Sequence, residues 1–279
     1  MNEIYVSSWN ELNDCLYKNA WDERLGRFRG TVAYRGMSDV SYPLTTSLSR
    51  LKGRSNSLEI GMVRAFIRYA RREEVPGDSL WNWIALAQHH GLPTRLIDWT
   101  YSPFVALHFA TEKETLYDRD GIVWRIDFAR TNELLPDRLM RILEAEMTYV
   151  FTAEMLESAA ATLDEFDALA DQEFLAFFEP PSFDDRIVNQ YALMSLPSKQ
   201  ITRLDAWLTQ HPHVFDRIVI PANLKWEIRD KLDQANITER VLYPGLDGLG
   251  RWLTRYYTPR TAIAPITEEE RLDEPTAPL

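Results

Sequence analysis

Gln88-His89-His90-Gly91-Leu92-Pro93-Thr94-Arg95-Leu96-Ile97-Asp98-Trp99-Thr100-Tyr101-Ser102-Pro103-Phe104-Val105-Ala106-Leu107-His108-Phe109-Ala110 is the stretch on which the reading of this chain turns. It opens as the end of a helix that Asp78 or Ser79 starts and that runs through Trp83, Ala87 and His90, until Gly91 and Pro93 stop it. It closes as a new helix, with Ser102 at the N-cap and Pro103 at the first helical position, where the missing N–H costs nothing. Between the two helix ends lies a turn carrying Arg95, Asp98, Trp99 and Thr100. No Gly-x-Gly-x-x-Gly follows a strand and no Gly-x-x-x-x-Gly-Lys occurs. A dinucleotide-binding doubly wound sheet and a P-loop are therefore unsupported.

Outward from this block, Ile4–Val6, Thr31–Arg35 leading into Gly36, Gly121–Phe128, Arg186–Leu196 and Val214–Ile220 read as strands. Helices are predicted from Ser7 or Ser8 to about Asn19, over Ser57–Arg72, over the acidic Glu133–Phe178, over Leu224–Gln234 and over Leu246–Tyr256. In the second of these, Leu58, Met62, Ala65, Phe66 and Tyr69 share the expected inner face. Strands and helices do not alternate regularly, which predicts an α+β domain over residues 1–257. A helical acidic insertion is expected at about 133–182. Residues 258–279 read as a poorly ordered, acidic, proline-rich tail.

Cys15 is the single cysteine, so no internal disulfide and no cysteine-based zinc site can form; its apolar helical surroundings suggest the core. That usage fits a reducing compartment. No signal segment and no run of about 18 uncharged apolar residues is visible, so the expected location is the cytoplasm, away from membrane. The formal net charge of −11 argues against broad nonspecific nucleic-acid binding. Its distribution is uneven. Residues 45–72 hold Arg50, Lys52, Arg54, Arg64, Arg68, Arg71 and Arg72 against Glu59 alone. Residues 142–185 hold twelve acids and no lysine or arginine. These are either two solvated faces, or a basic rim for phosphates and an acceptor paired with an acidic segment that shields it or recruits a basic partner.

Gln88, His89, His90, Arg95, Asp98, Trp99, Thr100, Tyr101 and Ser102 fall within fifteen residues. Polar groups this dense either satisfy one another, with Asp98 pairing Arg95, or wall a ligand pocket in which Trp99 or Tyr101 offers a flat platform. Tyr34-Arg35-Gly36 adds an arginine at a strand end, suited to bidentate phosphate binding, and a glycine that permits close backbone approach. On a strand, Gln190 would share a face with Val188, as a buried satisfied amide or as an acceptor for a ribose hydroxyl. His89, His90 and His108 with Asp98 or Glu112 lack metal-site spacing, and adjacent helical histidines diverge by about 100°. No metal is expected. A metal-dependent nuclease or other hydrolase working through His89, Asp98 and His108 stays open as a third reading, and a Ser/His/Asp triad stays open too, without a Gly-x-Ser-x-Gly elbow to support it.

At these residues the sequence resembles the FRG domain family, named for its Phe/Tyr-Arg-Gly motif. Tyr34-Arg35-Gly36 matches that motif. Tyr42, Leu44, Ser47 and Arg50 match the segment after it. Gln88 through Thr100, then Ser102-Pro103 and Ala106-Leu107-x-Phe109-Ala110, match the long second motif. Arg186 and Gln190 resemble a later Arg…Gln element. Members recur in bacterial settings that suggest toxin or phage-defence roles.

A second, weaker resemblance is to ADP-ribosyltransferases. Arg35 stands where their early-strand Arg would. Asp98-Trp99-Thr100 and the helix Val105–Ala110 stand where their Ser-Thr-Ser strand and following helix would. Gln190 stands where their catalytic Glu would. This resemblance implies a split β-sheet core and cleavage of NAD, as substrate, at the nicotinamide ribose through an oxocarbenium-like transition state. On that reading Arg35, with Arg50 or Arg95, holds the pyrophosphate, while Tyr34 or Trp99 stacks the nicotinamide. Thr100 and Gln190 fix ribose hydroxyls, and Asp98 stabilises the developing charge. Gly36, Gln88, His89 and Ser102 complete the expected binding residues. The expected partner is a macromolecular acceptor, RNA, DNA or protein, near residues 45–72, with an antitoxin or regulator as a second. A non-catalytic nucleotide sensor using the same pocket is the alternative.

Overall fold

The computed structural model describes residues 3–51, 55–70, 77, 79–198, 201 and 203–259, without the side chains of 55–57. Expectations for Lys52, Arg54, Arg71, Arg72, Asp78 and most of the tail, residues 260–279, lie outside the described residues.

Seven strands form one mixed sheet in the order β1 (Glu3–Tyr5), β9 (Phe215–Ile220), β6 (Gly121–Asp127), β4 (Val32–Met37), β5 (Ile97–Thr100), β8 (Ala192–Pro197), β7 (Leu175–Phe178). Strands β1 and β9 are parallel and the other neighbours antiparallel. A small hairpin, β2 (Trp21–Asp22) with β3 (Arg27–Phe28), stands apart from it. The α+β class read from the sequence is the class the chain adopts. The strength of the ladder is uneven. β4 and β6 share six register pairs and β5 and β8 share four, but β4 meets β5 at Tyr34↔Thr100 alone. The sheet is thus two well-paired halves touching at one point.

Side-chain alternation distributes the core around that point. One face carries a single apolar cluster across both halves, with Ala33, Ile97, Trp99, Trp124, Phe177 and Leu193 under helix α10 (Leu204–Gln210). The other face carries two. Over β4 and β6, Val32, Tyr34 and Val123 pack against α1 (Trp9–Leu16), α4 (Pro103–Ala110) and α11 (Lys225–Gln234). Over β7 and β8, Phe178, Met194 and Leu196 pack against α3 (Leu80–His89), α6 (Asp137–Ala145), α7 (Ala153–Ala159) and α8 (Leu163–Asp167). A cleft opens where these two clusters part.

Several helix starts follow the local signals. Ser8 accepts from Glu11 N–H, Ser79 from Trp81 N–H and Ser102 from Val105 N–H, each cap contributing about 1 kcal/mol. Three expectations need correction. First, Leu58 and Tyr69 of α2 (Ser55–Tyr69) face solvent, while Glu59 and Val63 are buried. Glu59 turns inward because its carboxylate binds Arg95 through both Nε and the main-chain N–H. Second, the segment predicted as continuous helix from Glu133 to Phe178 breaks into the short helices α6, α7 and α8 and ends in strand β7, since Leu175–Phe178 is buried on both faces. Third, Arg186–Leu196 is not one strand. Asp184 caps a helix, α9 (Asp185–Asn189), and Tyr191 at φ +50° turns the chain into β8.

The chain after β9 packs α12 (Glu239–Leu242) and α13 (Leu246–Tyr257) beneath α4 through a buried ionic network. Arg229 donates to Glu239 at 2.7 Å and approaches His108 Nδ1 at 3.0 Å; Arg255 binds Glu239 and Asp233. Burial, reinforced by Arg229, holds His108 well below its ordinary value of 6.5. Burial would raise Glu239, but Arg255 and Arg229 bring it down to about 2 from 4.5. Both folded values are depressed, so below pH 6.5 and then below 4.5 the unfolded chain takes up protons that the native chain refuses, and stability falls. The melting temperature should drop in steps as pH is lowered from 7 through 5 to 3, and Glu239→Gln should flatten the lower step. A melting temperature flat between pH 7 and 4 would refute the account.

Among the described residues no helix is long and apolar enough to cross a membrane.

Candidate functional site

The cleft at the junction is lined by Tyr34, Arg35 and Gly36 of β4, Asp98, Trp99 and Thr100 of β5, and His89 at the end of α3. Phe109 of α4, Arg186, Ile187 and Gln190 of α9 with its C-cap, and Ala192 and Met194 of β8 complete it. Its cavity volume is about 40 Å³. The two sequence motifs, far apart along the chain, therefore meet in one place.

Arg35 crosses the gap between the strands and donates to the main-chain carbonyl of Asp98 at 2.6 Å. It is half-buried, and its Nε is sealed from solvent with no partner among the described residues. Burial pulls its pKa down, and nearby Asp98 opposes that effect while Arg50 adds to it. Asp98 points to the cleft because Ile97 and Trp99 occupy the opposite face of β5. Gln88 Nε2 donates to Asp98 Oδ1 at 2.8 Å, and Gln88 Oε1 accepts from Thr94 Oγ1, which settles the orientation of the amide. Asp98 Oδ2 has no hydrogen bond among the described residues, and the Arg35 and Asp98 charges do not close into an ion pair. The cleft thus presents an unspent cation and an unspent anion side by side.

Other expected residues are used differently. Trp99 is 3% exposed; its indole N–H donates to Ser195 and its ring packs on Phe177, so it is core and not a stacking platform. Tyr34 is 2% exposed and donates to the Leu16 carbonyl at 2.6 Å, so its ring also belongs to the core. Arg95 lies outside the cleft, bound to Glu59 at 2.8 Å and Asp167 at 2.7 Å, and the pairing of Asp98 with Arg95 does not form. Ser102 is occupied as the cap of α4. Arg50 is the exposed last residue of a 3-10 turn, Leu48–Arg50, and does not line the cleft. Gly36 leaves room for protein rather than ligand: a Cβ there would overlap the Ala106 carbonyl oxygen and lie 2.7 Å from Ala110 N.

Thr100 donates its hydroxyl to the Gln190 carbonyl at 2.7 Å and accepts from Ser102 N–H, which ties β5 to α9. Gln190 donates its amide to Leu242 O at 3.0 Å, leaving Oε1 as an acceptor with no partner among the described residues. His89 meets Asp184 at 2.7 Å; burial raises Asp184, but Ile187 N–H and His89 together hold it below the usual carboxylate range. His108 sits in the buried network beneath α4 and does not line the cleft. Among the described residues no three His, Cys, Asp or Glu side chains gather as a metal site.

Sequence reasoning did not place Arg186 and Phe109 at the site. Asp184-Asp185 ahead of Arg186 is a helix-start signal, and it would have set Arg186 and Gln190 one turn apart on one helix face. Arg186 also lies over the Tyr243 ring, 5.3 Å from its centroid, so α12 and α13 brace the cleft wall.

No curated protein and no solved structure matches the chain significantly. A family model does match, over residues 30–119, a segment that supplies β4, α3, β5 and α4 but stops short of Arg186 and Gln190. The segment that builds the Arg35 and Asp98 sides of the cleft is thus the one that matches the model of the FRG domain.

Proposed function

We propose that the cleft binds NAD and cleaves its nicotinamide–ribose bond, transferring ADP-ribose to a macromolecular acceptor. The observation that carries this reading is the pair Arg35 and Asp98, opposite charges that share one cleft without neutralising each other. A ligand that brings both a phosphate anion and a developing cation uses both. Arg35 and Arg186 face the pyrophosphate. Asp98 faces the anomeric carbon, where fixed negative charge stabilises an oxocarbenium ion. Gln190 Oε1 and the remaining Thr100 lone pair accept from ribose hydroxyls. Phe109, rather than Trp99, is the ring available to the nicotinamide. The parting of the sheet between β4 and β5 supplies the opening in which such a ligand would lie.

In the reaction the C1′–N bond breaks, and its electron pair leaves with neutral nicotinamide. The acceptor's oxygen or nitrogen lone pair then forms the new bond to C1′, and the acceptor loses its proton to solvent. Membership of a toxin or phage-defence system belongs to the same proposal. The test is incubation with adenine-labelled NAD in the presence of protein, RNA and DNA acceptors. Nicotinamide release with label on one acceptor supports transfer. Tight NAD binding without any product favours the non-catalytic sensor, in which neutral Gln190 marks an inactive site. No binding and no turnover would sink both.

A further inference from the structure

The hairpin β2–β3 is built to stand out from the body of the protein. Asp22 Oδ1 accepts from Arg24 N–H and Leu25 N–H, and Gly26 at φ +58° closes the turn. Trp21 pairs with Phe28 across it, ring centroids 5.2 Å apart. From Phe28 the rings continue to Tyr17 at 6.4 Å, Phe104 at 6.5 Å and Trp9 at 6.1 Å. Five rings thus form a ribbon from the hairpin over the end of α1 to the first turn of α4. Trp21 is 47% exposed, Phe28 59% and Tyr17 40%. Leaving three large rings in water contributes little to folding, and contiguous exposed apolar surface marks an interaction site.

Cations accompany the ribbon. Arg24, Arg27 and Arg29 are exposed, and Lys231 lies 4.8 Å over the Trp9 ring. Lys18 is compensated by Asp216 and Lys231 by Glu227, and Arg24 lies 4.0 Å from Asp22. Arg27 and Arg29 have no ion pair among the described residues. The hairpin carries Arg24, Arg27 and Arg29 against Asp22 and Glu23, a net charge of +1 in a chain of net charge −11. Exposed rings interleaved with unpaired arginines are what a flexible polyanion carrying flat rings requires: bases stack and phosphates pair. An acidic peptide would use the arginines but has no rings to stack on so many aromatic faces. A duplex hides its base faces.

We propose that the ribbon Trp21–Phe28–Tyr17–Phe104–Trp9, with Arg27 and Arg29, is a docking surface for single-stranded nucleic acid. The surface is distinct from the cleft and its role does not depend on the cleft being catalytic. The two share α4: Phe104 lies in its first turn and Phe109 in its last, about 8 Å apart along the helix axis.

The test is fluorescence anisotropy on the whole chain without NAD, using labelled oligouridylate and oligodeoxythymidylate of about 20 nucleotides, a duplex of equal length and a labelled polyglutamate peptide. At low salt a single strand should bind, and at least about tenfold more tightly than the duplex or the peptide. Trp21→Ala/Phe28→Ala should weaken binding at least about tenfold, with melting temperature and any nicotinamide release unchanged. Arg27→Glu/Arg29→Glu should weaken it similarly and reduce the salt dependence. The two oligonucleotides show whether the source is RNA or DNA. The proposal is overturned if neither strand binds, if the duplex or polyglutamate binds as well, or if folded variants bind like the parent.

Discussion

If the cleft cleaves NAD as proposed, Arg35→Ala is expected to lower nicotinamide release by at least about 100-fold, the cost of removing one preorganised charged donor from a water-poor site, while the protein stays folded. The reason lies in how Arg35 is held. Its contact to the Asp98 carbonyl aims the guanidinium across the gap between β4 and β5. Arg35→Lys keeps the charge but loses the planar fork, so it recovers only part of the activity. Release kinetics read alongside the melting temperature check both variants. Activity in Arg35→Ala close to that of the parent would remove Arg35 from the site and the charge-pair argument with it.

Gly36→Ala destabilises the protein by about 3 kcal/mol or more, and for a chain of this size the melting temperature falls by about 10 °C. The added Cβ meets backbone, the Ala106 carbonyl oxygen and the Ala110 nitrogen, neither of which can rotate away as a side chain would. Helix α4 must lift off β4, and it carries Phe109 out of the cleft wall as it does so. A thermal melt decides between two reasons for the glycine. If it were there for a ligand's approach, the variant would melt like the parent and lose only NAD binding. A melting temperature within about 2 °C of the parent would exclude the packing explanation.

These predictions rest on residues whose positions were legible in the sequence to different degrees. The ends of α3 and the start of α4 were legible because caps and breakers act within a few residues: Ser79, Gly91, Ser102 and Pro103 each work on their own turn of chain. Arg35 and Asp98 were legible as polar residues in short motifs, but Trp99 between them was misread. An indole in a polar block could serve as a platform or as core, and strand alternation against Phe177 decided for the core. Arg95 was misread for a similar reason. Its partners, Glu59 and Asp167, are 36 and 72 residues away, and no local pattern announces a long-range ion pair. Arg186 was passed over because a predicted strand hid the helix that Asp184 begins.

The sequence by itself determined the α+β class, the helix boundaries set by caps and breakers, and the presence of two motifs dense in polar side chains. These depend on residue type and near-neighbour spacing, which a linear chain displays. Only the tertiary structure decided that β4 and β5 part after a single pair, that the motifs meet in that opening, and which of their polar groups stay unspent there. That depends on how distant partners consume hydrogen bonds and charge. Glu59 takes Arg95, Ser195 takes Trp99 and Leu242 takes the amide of Gln190, and what stays without a hydrogen-bond partner among the described residues is Arg35 Nε, Asp98 Oδ2 and Gln190 Oε1.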